Sequence, residues 1–185
     1  MAEKETRVLL DACCLINLLA TGRIAEILDA LPYRFGVSEL VAEKEVLGLA
    51  PSQEAAGDPS PTPRDLLASL VRADLLEVLA LRTAEEASAF VRFATALDDG
   101  EASVCALAVV EGAAIATDDR KAIRLLGEWA PEVRVIQTPE LLFEWAIATN
   151  QQSAEIRRVL TAVRERARFV PRKGSPGAEW WRSNR

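Results

Sequence analysis

Acidic residues stand where predicted strands end or predicted helices begin. Asp11 ends the β-rich run RVLLD, Asp118 and Asp119 follow the small-residue run 113–117, and Glu101 opens an apolar helix. In an open parallel sheet, ligands bind beyond the carboxyl ends of the strands. We therefore expect these four carboxylates to meet at one edge of a sheet.

Each acid alone also has a structural explanation, since Asp11 and Asp118 could cap the helices that follow them and Glu101 could favour a helix dipole. Together they point to chemistry, because two like charges ~4 Å apart repel by about 4 kcal/mol at an effective dielectric near 20. With oxygen ligands and no His in the chain, Mg²⁺ or Mn²⁺ is the expected cation.

The composition excludes several kinds of site. The absence of His rules out serine–histidine and cysteine–histidine catalysis and the usual zinc ligand sets. The three Cys form no C-x-x-C pair, which favours reduced core thiols over a disulfide framework. The polar amino terminus fits no signal peptide, and the longest apolar stretch, 102–110, is too short to span a membrane. We expect a cytoplasmic protein without a membrane segment.

The elements that must position the acids alternate between strand and helix, which predicts an α/β fold, a three-layer α/β/α sandwich around a central parallel sheet. We expect one domain over residues 1–150, interrupted by a proline-rich loop at 50–63, and a basic helix and tail over 151–185. Ser38 is the expected N-cap of a helix that carries Glu43 and Glu45.

Three segments resemble the PIN-domain nucleases, the family that includes VapC-type toxins of toxin–antitoxin pairs. They are RVLLDACCLINLLATG, LDDGEASVCALAVVEGAAIATDD and VIQTPELL, and the resemblance covers roughly residues 6 to 145. It implies a PIN-like fold and a metal-dependent endoribonuclease with one or two Mg²⁺ or Mn²⁺ ions. It also implies RNA as substrate, a homodimer and, for a toxin, an antitoxin protein as partner.

Carried over position by position, the resemblance implies catalytic acids at Asp11, Glu45, Glu101 and Asp119. Glu101 stands where the family more often has Asp, and Glu43 is the substitute for Glu45 as second acid. Metal ligands are then expected at Asp11, Glu101, Asp119 and Asp118, and supporting roles at Glu43, Thr117 and Asn17. Two other interpretations stay open: a non-catalytic PIN-like module that binds RNA or protein, and a phosphohydrolase on another doubly wound sheet.

The tail differs in charge from the rest of the chain. From residue 153 onward, nine Arg or Lys stand against three acids, whereas the preceding part carries 13 basic and 25 acidic residues. Apolar positions at Ile156, Leu160, Val163 and Ala167 predict an amphipathic C-terminal helix. Its cations either contact RNA phosphates, with Trp180 and Trp181 stacking on bases, or balance acidic surface while the tryptophans fill a groove. The candidate RNA-binding residues are Arg157, Arg164, Arg168, Arg172 and Lys173.

Overall fold

A computed structural model describes residues 6–45 and 62–185, without the side chains of residues 44 and 45. The strands are β1 (Thr6–Leu10), β2 (Tyr33–Ser38), β3 (Glu77–Leu79), β4 (Ala114–Ala116) and β5 (Val135–Ile136). They form one all-parallel sheet in the order β3-β2-β1-β4-β5. The predicted α/β class with a central parallel sheet is confirmed.

The helices cover the sheet in two groups. The first group contains α1, α2, α7, α8 and α9, which contact one another, and the second contains α4, α5 and α6. This arrangement is the expected three-layer sandwich. The bounds are α1 (Ala12–Ala20), α2 (Ile24–Ala30), α3 (Pro63–Arg72), α4 (Ala84–Ala94), α5 (Asp99–Glu111), α6 (Arg120–Trp129), α7 (Thr138–Ala148), α8 (Ser153–Arg166) and α9 (Ala178–Asn184).

The strand order has a switch point between the neighbouring strands β1 and β4, because successive strands are added on opposite sides of it. From β1 the chain moves outward through β2 to β3, and from β4 it moves the opposite way to β5. Leu10 pairs with Ala116 at the carboxyl ends of the two central strands, and the Asp11 amide donates to the Ala116 carbonyl at 3.0 Å. A reversal of this kind opens a crevice at the carboxyl edge, where α/β sheets bind ligands.

Helix α5 is the central helix of the second group. It contacts α4, α6, β1, β2 and β4, which explains why its sequence is apolar on nearly every face. The buried Ser103 hydroxyl of α5 lies 2.7 Å from the hydroxyl of Ser38 at the end of β2. This contact fixes the amino-terminal turn of α5, and Glu101 with it, beside the carboxyl edge.

The segment after β2 differs in detail from its prediction. Ser38 accepts a hydrogen bond from the Val41 amide at 3.1 Å, as expected of an N-cap, but the chain then forms a π-helical turn, Val41–Glu45. The proline-rich loop predicted at 50–63 lies outside the described residues up to position 61. Helix α3 begins after it with Pro63 at its first position and Thr62 as its cap.

The predicted amphipathic tail helix is confirmed as α8. Its residues Ile156, Val159, Leu160 and Val163 are buried, and so is Trp181 of α9; all of them belong to the same hydrophobic core as the strands. Within the described part of the chain, no helix combines the length and apolar character needed to cross a membrane.

Candidate functional site

Asp11 is the first carboxylate at the carboxyl edge, and it is 2% exposed. Its Oδ1 accepts from the Ala12 amide at 2.8 Å, so it caps α1 as one sequence interpretation expected. Its Oδ2 accepts from the Thr117 hydroxyl at 2.8 Å and from the Cys13 thiol at 3.2 Å. Burial raises the pKa of Asp11 above its ordinary value, the three hydrogen bonds oppose the rise, and the charge of Asp98 adds to it.

Thr117 connects Asp11 to Asp119. Its fully buried hydroxyl donates to Asp11 and accepts from the Asp119 amide at 3.1 Å. The Asp119 side chain caps α6, where Oδ1 accepts from the amides of Lys121 at 2.7 Å and Ala122 at 2.8 Å. The resemblance implied a supporting hydroxyl at Thr117 and an acid at Asp119; the hydroxyl contacts Asp11 and the backbone amide of Asp119.

Glu101 enters the same edge from α5. Its amide donates to Asp98 Oδ1 at 2.9 Å, and its own Oε2 accepts from the Asp98 amide at 3.4 Å, which together make a capping box. Burial raises the pKa of Glu101 to about 7, and the charges of Asp98, Asp119 and Asp11 contribute to the rise. The acids predicted at separate places in the sequence therefore act on one another electrostatically.

Two residues near these acids were missing from the predicted site. The charge of Asp98 acts on both Glu101 and Asp11. Cys105 lies one turn after Glu101 on α5, and burial together with the charges of Asp11, Glu101 and Asp119 raises the pKa of its thiol. The D-x-x-E capping pattern at Asp98 was the available signal, whereas nothing in the sequence pointed to Cys105.

Asp118 has a different environment from Asp119. Its Oδ2 accepts from Asn17 Nδ2 at 3.0 Å and from the Thr138 hydroxyl at 2.5 Å, and its Oδ1 accepts from the Thr138 amide at 3.2 Å. Burial raises the pKa of Asp118, and these hydrogen bonds, with one from Cys14, lower it. Asn17 therefore does act on a site acid, and Asp118 joins α1 to the start of α7.

One group of potential metal ligands is compact in the described residues. The ligand atoms of Cys13, Cys14 and Asp118 all lie within 4.8 Å of one another, and no three of the predicted carboxylates that the structure describes do so. Burial raises the pKa of the Cys14 thiol well above its usual range, and Asp118 accepts hydrogen bonds from Cys14, Asn17 and Thr138. The compact group is thus explained by hydrogen bonding around Asp118.

The carboxylates of Asp11, Glu101 and Asp119 fit a hard divalent cation better. They offer oxygen donors alone, and the pKa of Glu101 is raised to about 7 first by burial and then by repulsion from Asp98, Asp119 and Asp11. A bound cation would relieve that repulsion. These residues would hold Mg²⁺ or Mn²⁺, with Thr117 orienting Asp11 through its hydroxyl.

The predicted second acid is described only in part. The side chain of Glu45 lies outside the described residues, and Glu43 is exposed in the π-helical turn. That turn contacts α5, the helix that carries Glu101.

The candidate RNA-binding residues are all exposed, but they do not lie on one element. Arg157 and Arg164 belong to α8, whereas Arg168, Arg172 and Lys173 follow it. Trp181 is 1% exposed and packs edge-on against Phe169 at 5.7 Å, and Trp180 packs against Phe143 at 5.5 Å. The tryptophans fill a groove on the protein, as the second interpretation of the tail expected.

No protein-family model, curated protein or solved structure matches the chain.

Proposed function

We propose that this protein is a Mg²⁺- or Mn²⁺-dependent endoribonuclease of the PIN type, which hydrolyses RNA phosphodiesters at the carboxyl edge of its sheet. The observation that supports the proposal is the pKa of Glu101, which burial and the charges of Asp98, Asp119 and Asp11 raise to about 7 beside the point where the strand order reverses. Uncompensated acids of this kind call for a cation.

The bound cation would supply a nucleophilic water at neutral pH and neutralise charge on the scissile phosphate. The chain's own residues hold the ligands in place. The Thr117 hydroxyl donates to Asp11 Oδ2, and the Ala12 amide donates to Asp11 Oδ1. These two hydrogen bonds fix the orientation of the carboxylate. Asp98 fixes the first turn of α5 and so the backbone from which Glu101 projects. No side chain needs to act as a strong base, which suits a chain without His.

Asp118 takes a positioning role in this proposal. Its hydrogen bonds with Asn17 of α1 and Thr138 of α7 fix the loop that presents Thr117 and Asp119 to the site. The similarity of three sequence segments to PIN nucleases extends the proposal to a cytoplasmic toxin that acts as a homodimer and is neutralised by an antitoxin protein.

The test is cleavage of a single-stranded RNA by the purified protein in Mn²⁺. We expect Asp11→Asn and Glu101→Gln to reduce the cleavage rate by at least about 100-fold, because each removes a charged ligand. Glu132→Gln, a change at an exposed acid in the turn before β5, should leave the rate unchanged. Full activity in both site variants would refute the proposal, and so would cleavage that persists in EDTA.

A second candidate function is a PIN-like module that binds RNA or protein without cleaving it. It is favoured by the observation that no three predicted carboxylates in the described residues come within 4.8 Å of one another. Titration with Mn²⁺ separates the two functions, since a module that only binds RNA does not require metal uptake at Asp11.

A further inference from the structure

The segment between α8 and α9 returns to the carboxyl edge of the sheet. Gly177 packs so closely on α7 that a Cβ added there would lie 2.7 Å from Pro139 Cβ. Pro139 follows Thr138, whose amide and hydroxyl both donate to Asp118. Gly177 therefore contacts the residue that follows Thr138, the hydrogen-bond partner of Asp118.

Two successive turns connect this fixed point to the basic residues. The Ala178 amide donates to the Ser175 carbonyl at 3.1 Å, and the Ser175 amide donates to the Arg172 carbonyl at 3.2 Å. The ends of such a turn lie within about 7 Å of each other. We call residues 172–175 the basic turn; Arg172 lies at most two turn spans from Ala178.

The cations of the basic turn lack counter-ions. Arg172 and Lys173 are exposed, and neither forms an ion pair within the described ranges 6–45 and 62–185. On α8, by contrast, Arg158 pairs with Glu155 at 3.3 Å and Arg164 with Glu165 at 3.3 Å. Among the described residues, the two cations of this turn are therefore available to an anion, within two turn spans of Ala178.

The arginines of α8 lie at the other end of the first layer. Arg166 donates to the carbonyl of Ala20, the last residue of α1, whereas Asp11 caps the first turn of that helix. The nine residues of α1 separate these ends by about 13 Å. Glu155 of α8 pairs with Arg23, which is also beyond the carboxyl-terminal end of α1. The basic tail is thus divided into a remote α8 set and a basic turn near the site.

We propose that the basic turn binds the phosphate backbone of single-stranded RNA next to the carboxylate site. This inference rests on the proposed function and specifies how its substrate is held. Neighbouring strands are about 4.8 Å apart, so the end of β5, which precedes Pro139 in the chain, lies about 10 Å from Asp11. The phosphates of an RNA strand are repelled by the acids of the site. Arg172 and Lys173 supply positive charges that attract them.

The test measures binding of a fluorescein-labelled polyuridine oligonucleotide by anisotropy, in EDTA and at several salt concentrations, so that no cleavage occurs. We expect Arg172→Ser with Lys173→Ser to weaken binding about tenfold and to reduce the salt slope by about 1.4, since two phosphate contacts are lost. The matched control, Arg64→Ser with Arg72→Ser, removes two exposed charges from α3 and should change affinity less than about twofold. Unchanged melting temperatures would confirm that both variants fold.

Equal weakening by the two double variants would overturn the proposal, because it would show that only net charge matters. Tighter binding of a polyglutamate peptide than of polyuridine to the wild-type protein would also overturn it, in favour of an acidic protein partner. RNA binding that depends on the basic turn without Mn²⁺-dependent cleavage would refute the proposed nuclease and leave the basic turn as an RNA site. Cleavage with normal binding in the Arg172→Ser, Lys173→Ser variant would refute the basic turn alone.

Discussion

The raised pKa of Glu101 predicts that its carboxylate destabilises the metal-free protein at neutral and alkaline pH. The folded state holds the proton up to about pH 7, whereas the ordinary value is 4.5. Between these values the folded state binds more protons than the unfolded state, so the free energy of unfolding falls as the pH rises. Glu101→Gln keeps the shape of the side chain and removes the ionisation, and should therefore stabilise the protein above this window.

The size of the effect follows from the two pKa values. A rise from 4.5 to about 7 corresponds to about 3 kcal/mol. Because the side chain is only half-buried, screening by solvent reduces the expected gain to about 1–2 kcal/mol. For a chain of this length that gain raises the melting temperature by about 2–8 °C at about pH 8. At about pH 4, where Glu101 is protonated in both states, the difference should nearly vanish.

The assay is thermal unfolding of the wild-type protein and of Glu101→Gln across this pH range in EDTA. Glu132→Gln serves as the control, because it removes an acid from an exposed turn. If Glu101→Gln is no more stable than the wild-type protein at about pH 8, or if its gain is the same at both ends of the range, burial and the neighbouring acids do not raise the pKa of Glu101 as we infer.

Three further predictions concern the parts that hold the site and the tail. Gly177→Ala should destabilise the protein by about 1–3 kcal/mol more than Gly174→Ala in urea unfolding, because both have positive φ but only Gly177 faces Pro139 at 2.7 Å; equal losses would contradict the close approach. Thr117→Val should weaken Mn²⁺ binding about 10–100-fold in calorimetric titration, because Asp11 loses its hydroxyl donor, while Thr95→Val at an exposed site serves as control; unchanged affinity would show that Thr117 does not orient the ligand. Trp181→Ala should cost about 3–5 kcal/mol in urea unfolding, since the side chain is buried in the core; a loss below about 1 kcal/mol would show that the tail is not docked.

Most of the fold could be predicted because local signals agreed with the global arrangement. Thr83 with Glu86, and Pro139 after Thr138, are local signals for a helix start, and α4 and α7 begin there. The apolar character of α5 predicted a buried helix, and α5 contacts three strands. The π-helical turn after Ser38 was not predictable, because the sequence there fits an ordinary helix equally well and tertiary packing on α5 decides between them.

The site was predictable in position but not in the direction of each side chain. Asp118 and Asp119 are adjacent, and their separate environments depend on Thr138 and Asn17, which arrive from distant elements. Asp98 could not be distinguished from an ordinary cap, because its effect on Asp11 depends on α5 lying beside β1. Local patterns identify which residues reach the edge of the sheet, and long-range hydrogen bonds determine which of them face one another.

Calorimetric titration with Mn²⁺ tests the central claim most directly when the wild-type protein is compared with Asp11→Asn and Asp118→Asn. We expect the wild-type protein and Asp118→Asn to bind Mn²⁺, and Asp11→Asn to lose binding, because Asp11 is a proposed ligand and Asp118 is held by Thr138 and Asn17. Mn²⁺ binding that survives in Asp11→Asn and is lost in Asp118→Asn would contradict the carboxylate site and move the metal to the cysteines beside Asp118.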